Sequence, residues 1–179
     1  MTSPLIRPEN CLLLAVDFQA RLMPAIHDAE AVVAEARRLL TGAALLGVPI
    51  LATEQKPASL GHSVPDLLPE NTPVAEKSTF DAMRAPAVMA RLADVQDVVV
   101  IGCEAHVCVL QTVAGVQMAG KRVFVVEDAV GSRKPASKAA ALTRMRAFGA
   151  HTVTAEMVLF EWLGGADHPR FRAAIQLIK

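Results

Sequence analysis

At 179 residues, 53% of them hydrophobic, the chain has the length of one domain and enough apolar material to bury a full core. Its 18 Lys and Arg balance 18 Asp and Glu, so the formal net charge is zero; without a polybasic run, neither nucleic acid nor membrane is an expected partner, and a small-molecule ligand is. Met1 to Asn10 holds prolines and polar residues rather than a long apolar stretch, and Cys11, Cys103 and Cys108 make an odd set, so the expectation is a cytoplasmic protein with free thiols and no disulfide framework.

The run Cys11 to Val16 is short, apolar and ends in Asp17, which predicts a buried strand that delivers a carboxylate at its C-terminal end. From Asp28 to Leu46, Val32, Val33, Ala36, Leu39, Leu40 and Ala43 recur at helical spacing, with Asp28 as N-cap and Gly47 as stop. Pro49 to Thr53 predicts a second strand, followed by a loop through Pro57, Gly61 and Pro65. Val74 to Ser78 predicts a third, with Lys77 near its end. Arg84 to Asp94 is helical in pattern, and Asp97 to Ile101 is the clearest buried strand, closed by Gly102. A helix follows over Ala105 to Ala119, then a strand over Arg122 to Val126, a polar loop over Glu127 to Lys134 and a helix over Pro135 to Phe148. His151 to Thr154 predicts a sixth strand, and Ala155 to Leu163 and Pro169 to Ile178 two closing helices. Phe160, Trp162, Leu163 and Phe171 in these helices suit either the core or a subunit interface. Alternating strands and helices imply right-handed crossovers: an α/β fold, a three-layer α/β/α sandwich with a six-stranded, mainly parallel, Rossmann-like sheet, as one domain over residues 1–179.

Three strand ends carry chemistry. In VVVIGCEAHVCVLQT, Val98 to Thr112, a strand turns through Gly102 into a helix opening near Cys108, where the helix dipole favours thiolate and backbone N–H groups can hold an oxyanion. The alternative is that Cys108 is only a small buried hydrophobe, and Cys103, without an obvious partner, suits that role better. Asp17 can accept a thiol proton or brace its loop. Lys77 is either a surface lysine or a buried ammonium that needs a carboxylate. In a parallel sheet all three strand ends lie along one edge.

The segments LLLAVDFQARLMP, ILATEQKPASLGHSVPDL, AEKSTFDAM, VVVIGCEAHVCVLQTVAGVQMAGKRVFVVEDAVGSR and VLFEWLGGADHPRFRAAIQLIK resemble, in order, the blocks of the isochorismatase-like hydrolases, which include nicotinamidases and carbamoylsarcosine amidohydrolases. The likeness is strongest to the branch with a GxEAHVC block and to the isochorismatase domain-containing proteins of animals. It implies a catalytic triad of Asp17, Lys77 and Cys108, a cis peptide at Cys103–Glu104, and oxyanion donors at the N–H groups of Glu104 and Cys108. Because relatives that cleave the vinyl ether of isochorismate often lack the cysteine, Cys108 turns the expectation to a small amide, carbamoyl or related carbon–nitrogen compound, hydrolysed through a thioester. Vinyl ether hydrolysis, and an idle binding or assembly role on the same fold, are the alternatives.

Nicotinamidases carry an Asp-x-His pair and a further His for a metal; here Glu54, Gln55 and Lys56 occupy that loop with His62 nearby, so no metal is expected. No cofactor is expected either, since no P-loop or GxGxxG occurs. The substrate pocket is expected from Phe18, Gln19, Gln55, Lys56, Phe80 and His106, with Lys56 as a rim cation suited to an acidic substrate. The resemblance and the zero net charge together imply a homo-oligomer, a dimer or larger.

Overall fold

The computed structural model describes residues 3–178; Met1, Thr2 and Lys179 of the expected domain lie outside them. Strands β1 (Cys11–Val16), β2 (Ile50–Gln55), β3 (Val74–Lys77), β4 (Asp97–Cys103), β5 (Arg122–Gly131) and β6 (His151–Val153) form one sheet in the order β3-β2-β1-β4-β5-β6. Every pairing is parallel. From β1 the chain winds outward to β2 and β3, then restarts at β4 on the other side, which puts a topological switch point between β1 and β4. Open sheets of this kind place their crevice at the carboxyl ends of the strands beside that point.

Because side chains alternate along a strand, β1 feeds both faces. Leu13 and Ala15 join one core, while Leu12, Leu14 and Val16 join the other. On the first face lie α1 (Ala29–Leu46), through Val32, Ala36 and Leu39, and α6 (Ala155–Leu163), through Val158 and Trp162; Ile178 of α7 (Phe171–Ile178) packs at its margin. On the second lie α3 (Pro86–Leu92), α4 (Leu110–Met118) and α5 (Pro135–Ala147), through Val88, Val113 and Met145. A four-residue turn, α2 (Pro57–Leu60), follows β2. Each fully buried Leu or Val contributes about 1.5–3 kcal/mol, so the layers are held by strands that are apolar on both sides.

Two features at the switch point bring the chain ends together. Asp17 adopts φ 54°, left-handed backbone that turns the chain sharply off β1. Gly102 has φ 141°, and a Cβ there would lie 2.2 Å from the Val16 carbonyl oxygen, so only glycine lets β4 run this close to β1. At the opposite end of the sheet Arg122 grips Asp97 through two bonds of 2.6 Å, which stiffens β4 against β5 away from the crevice and raises the Arg122 pKa.

Several boundaries differ from those expected. Residues 127–131 of the expected polar loop continue β5: the register shifts between Val100 and Gly102, which accommodates Glu127 and Asp128 before Val130 pairs with Gly102. Asp128 then accepts from the Ala155 N–H at 3.0 Å at the start of α6. Strand β2 runs on to Gln55, so Glu54 and Gln55 belong to the sheet rather than the loop. The Asp28 side chain makes no cap hydrogen bond to α1 and lies 3.0 Å from His27 instead. Trp162 and Leu163 are core, whereas Phe160 is exposed.

Candidate active site

Asp17, Lys77 and Cys108 come from the ends of β1 and β3 and the turn after β4, at one edge of the sheet. Lys77 Nζ donates to Asp17 Oδ2 at 2.7 Å, to Gln55 Oε1 at 2.8 Å and to the Thr79 carbonyl at 3.3 Å. Both charged side chains are sealed from solvent, at 0% and 1% exposure, so the ammonium has the carboxylate that burial demands. The other carboxylate oxygen, Oδ1, accepts from the Thr53 hydroxyl at 2.7 Å. Thr53 was not legible as part of the site, since Thr53, Glu54 and Gln55 follow one another as polar residues at the end of β2.

Cys108 lies within a π-helical turn, Ala105–Val109, that precedes the regular helix α4. The thiol therefore lies in the opening turn of the helical segment that α4 continues. Burial pushes the Cys108 thiol up to about 12; the Asp17 charge adds to this, the Lys77 charge opposes it, and hydrogen bonding to Asp17 and the Glu104 charge raise it further. Cys108 thus rests as a thiol beside a carboxylate and needs a base to become a nucleophile.

Cys11 and Cys103 are also pushed up to about 12 by burial, but they face the opposite core, at 2% and 0% exposure against 7% for Cys108. Iodoacetamide is expected to label Cys108 first in the folded protein. Because the raised pKa keeps the neutral thiol present at higher pH, its labelling rate still climbs above pH ~10, where an ordinary cysteine has levelled off. Equal labelling of all three cysteines without unfolding, or a plateau near neutral pH with no later rise, would contradict this geometry.

The peptide bond Cys103–Glu104 is cis. The Glu104 carboxylate is buried and accepts from the Arg133 backbone N–H and from Arg133 Nε, each at 3.1 Å. His106 Nδ1 lies 3.0 Å from Ser132 Oγ and 3.9 Å from Glu104 Oε2, so residues 132 and 133, past β5, brace this turn.

Of the expected pocket residues, Phe18, Gln19 and Gln55 are buried. Phe18 is 2% exposed and packs in the core of the first face, because the turn at Asp17 swings it inward. Gln19 is fully buried and works as a brace: its Oε1 accepts from the Gln55 N–H at 2.8 Å and its Nε2 donates to the Gln55 and Gly61 carbonyls. Gln55 holds Lys77 through Oε1 and donates through Nε2 to the Ser78 carbonyl at 2.8 Å. Lys56 is exposed in left-handed backbone, φ 39°, before α2. Phe80 is 51% exposed and lines a cavity of about 450 Å³ with Thr79, Arg84 and Gln111. His106 is partly exposed and lines a cavity of about 240 Å³ with Arg133, Lys134 and Ser137.

Glu54 points away from Lys77. Its Oε1 accepts from the Ser63 N–H at 2.6 Å and Oγ at 2.8 Å, and Oε2 lies 2.9 Å from His62 Nδ1. Burial works against this carboxylate, yet the donors from Ser63 and His62 outweigh it and hold it below the usual range. Glu54 and His62 thus pin the 56–65 loop, and among the described residues no group of three His, Cys, Asp or Glu is arranged to hold a metal ion. Nor is any helix among them long and apolar enough to cross a membrane.

The isochorismatase domain matches residues 11–157, which spans all three of these strand ends. The chain belongs to the isochorismatase domain family. Within that family it is 36% identical over 177 residues to isochorismatase domain-containing protein 2A of Mus musculus, covering 97% of this chain and 85% of that protein. It is 34% identical to isochorismatase domain-containing protein 1 of Salmo salar, covering 96% of this chain but 62% of that longer protein. The MAR1 ribonuclease of Caenorhabditis elegans superposes with a TM-score of 0.94 at 39% identity, over 97% of this chain and 92% of that one. The family and these neighbours establish a three-layer α/β/α isochorismatase-like hydrolase fold.

Proposed function

We propose that this isochorismatase-like protein hydrolyses a small amide, carbamoyl or related carbon–nitrogen compound through a Cys108 thioester. The observation that carries the reading is the buried Asp17–Lys77 pair, 2.7 Å apart, acting on the one thiol at the crevice edge. Asp17 takes the Cys108 proton; the positive charge of Lys77, no longer matched by the carboxylate, is then matched by the thiolate. The sulfur attacks the carbonyl carbon, and the N–H groups of Glu104 and Cys108 hold the resulting oxyanion, an effect of roughly 3 kcal/mol per donor. As the intermediate collapses the carbon–nitrogen bond breaks, and Asp17 returns its proton to the leaving nitrogen. Water, deprotonated by Asp17, then attacks the thioester, releasing the acid and restoring the thiol. In this reading Phe80 and His106 border the substrate, the protein works without a metal or cofactor, and it functions in the cytoplasm as a homo-oligomer.

The test is a panel of small amides and carbamoyl compounds assayed for ammonia, with isochorismate assayed for pyruvate and single-stranded RNA for cleavage. The RNA arm is included because the Caenorhabditis elegans neighbour is called a ribonuclease. Ammonia release by the wild-type protein is the expected result. RNA cleavage or pyruvate without ammonia replaces the reading, and silence across all three favours an idle binding role.

A further inference from the structure

Thr53 and Gln55 stand two residues apart on β2 and so point to the same face. Since β2 lies between β1 and β3, this face separates the strands that carry Asp17 and Lys77. Gln55 attends to the lysine. Thr53 attends to the aspartate twice: its carbonyl accepts from the Asp17 N–H at 3.1 Å, and its hydroxyl donates to Oδ1 at 2.7 Å. The direction of the second bond is fixed by chemistry, because an ionised carboxylate only accepts. Both residues are shielded from water, Thr53 at 1% and Asp17 at 0% exposure, so solvent offers no substitute donor.

We propose that Thr53 is a positioning residue for the Cys108 site, acting through Asp17. With Thr53 on Oδ1 and Lys77 on Oδ2, the carboxylate cannot rotate about its last side-chain bond without breaking one of them. The lone pair that meets the thiol therefore stays aimed. The backbone half of the clamp holds Asp17 in its left-handed turn at φ 54°, which sets where the carboxylate starts. A donor on a carboxylate also favours the ionised form. The inference rests on the reading of Asp17 as the base toward Cys108.

The test needs no natural substrate. Acrylamide addition to Cys108 is followed by mass spectrometry of the Cys108 peptide from acid to neutral pH, in wild type, Thr53→Val, Thr53→Ala and Thr53→Ser. Cys108 and Asp17 share a proton, so the wild-type rate falls on the acid side as the pair becomes doubly protonated. Removing the donor in Thr53→Val is expected to move that acid limb up by about half a pH unit or more, and Thr53→Ser to return it. Thr53→Ala is the second donor-free variant should valine fail to fold, and a purely structural role leaves the limb in place. A limb present in wild type but unmoved in both donor-free variants, or not restored by serine, overturns the role of Thr53 alone. A wild-type profile with no acid limb overturns the reading of Asp17 as base.

Discussion

Cys108→Ala is expected to lower turnover of the amide substrate by about 10⁴-fold or more while the protein stays folded. The size follows from the division of labour at the site. In the proposed acylation step the nucleophile is made by the proton Asp17 takes from Cys108, and alanine removes both that proton and the atom that would attack. In the proposed mechanism the loss is not shared out among the other groups, because the thiolate that Lys77 would stabilise no longer forms. The fold tolerates the change: the thiol sits at the margin of the second core, 7% exposed, and losing one sulfur costs about 1 kcal/mol, a shift of a few degrees in melting temperature. Steady-state ammonia release and thermal unfolding of the two proteins, measured side by side, check both halves. Full activity in the alanine variant removes the nucleophile. A collapse in stability would mean instead that the sulfur is a core atom.

The sequence could place Asp17, Lys77 and Cys108 along one edge of the sheet for a physical reason. Each is a polar or reactive group closing an apolar run, and in a parallel sheet every such run ends on the same edge. Sheet order is not legible in the sequence, nor is the placing of β2 between the aspartate and the lysine, and it is this placing that brings Thr53 and Gln55 onto the pair. Phe18 and Gln19 are buried just after the sharp turn that the positive φ of Asp17 makes, a backbone angle the sequence does not announce. Glu127 and Asp128 look like loop residues by polarity, yet the shifted register beside Gly102 lets β5 absorb them. At Cys108 burial and the start of a helix act on the thiolate in opposite directions. A helix terminus is worth about 0.3–1 kcal/mol to a nearby charge, typically less than the desolvation of a buried ion, and burial accordingly heads the causes acting on Cys108.

The same imbalance between burial and pairing gives the largest expected effect on stability. Lys77→Met keeps the length and most of the volume of the side chain but deletes the charge, which leaves the fully buried Asp17 carboxylate with the neutral Thr53 hydroxyl and Cys108 thiol as its side-chain donors. Breaking a buried pair from one side costs about 3–5 kcal/mol, and here the Gln55 and Thr79 oxygens that met the ammonium lose their donor as well. The carboxylate can shed its charge by taking a proton, so the stability gap to wild type should narrow as pH falls. Replacing both partners, Asp17→Asn with Lys77→Met, removes the uncompensated charge and is expected to regain much of the stability while remaining inactive. Urea unfolding of the two single variants and the double variant, at neutral and mildly acid pH, measures the coupling directly. If the single and double variants are equally stable at neutral pH, the ion pair is not desolvated as its geometry requires. If Lys77→Met also hydrolyses the amide at the wild-type rate, the thiolate at Cys108 draws its stabilisation from somewhere other than this ammonium.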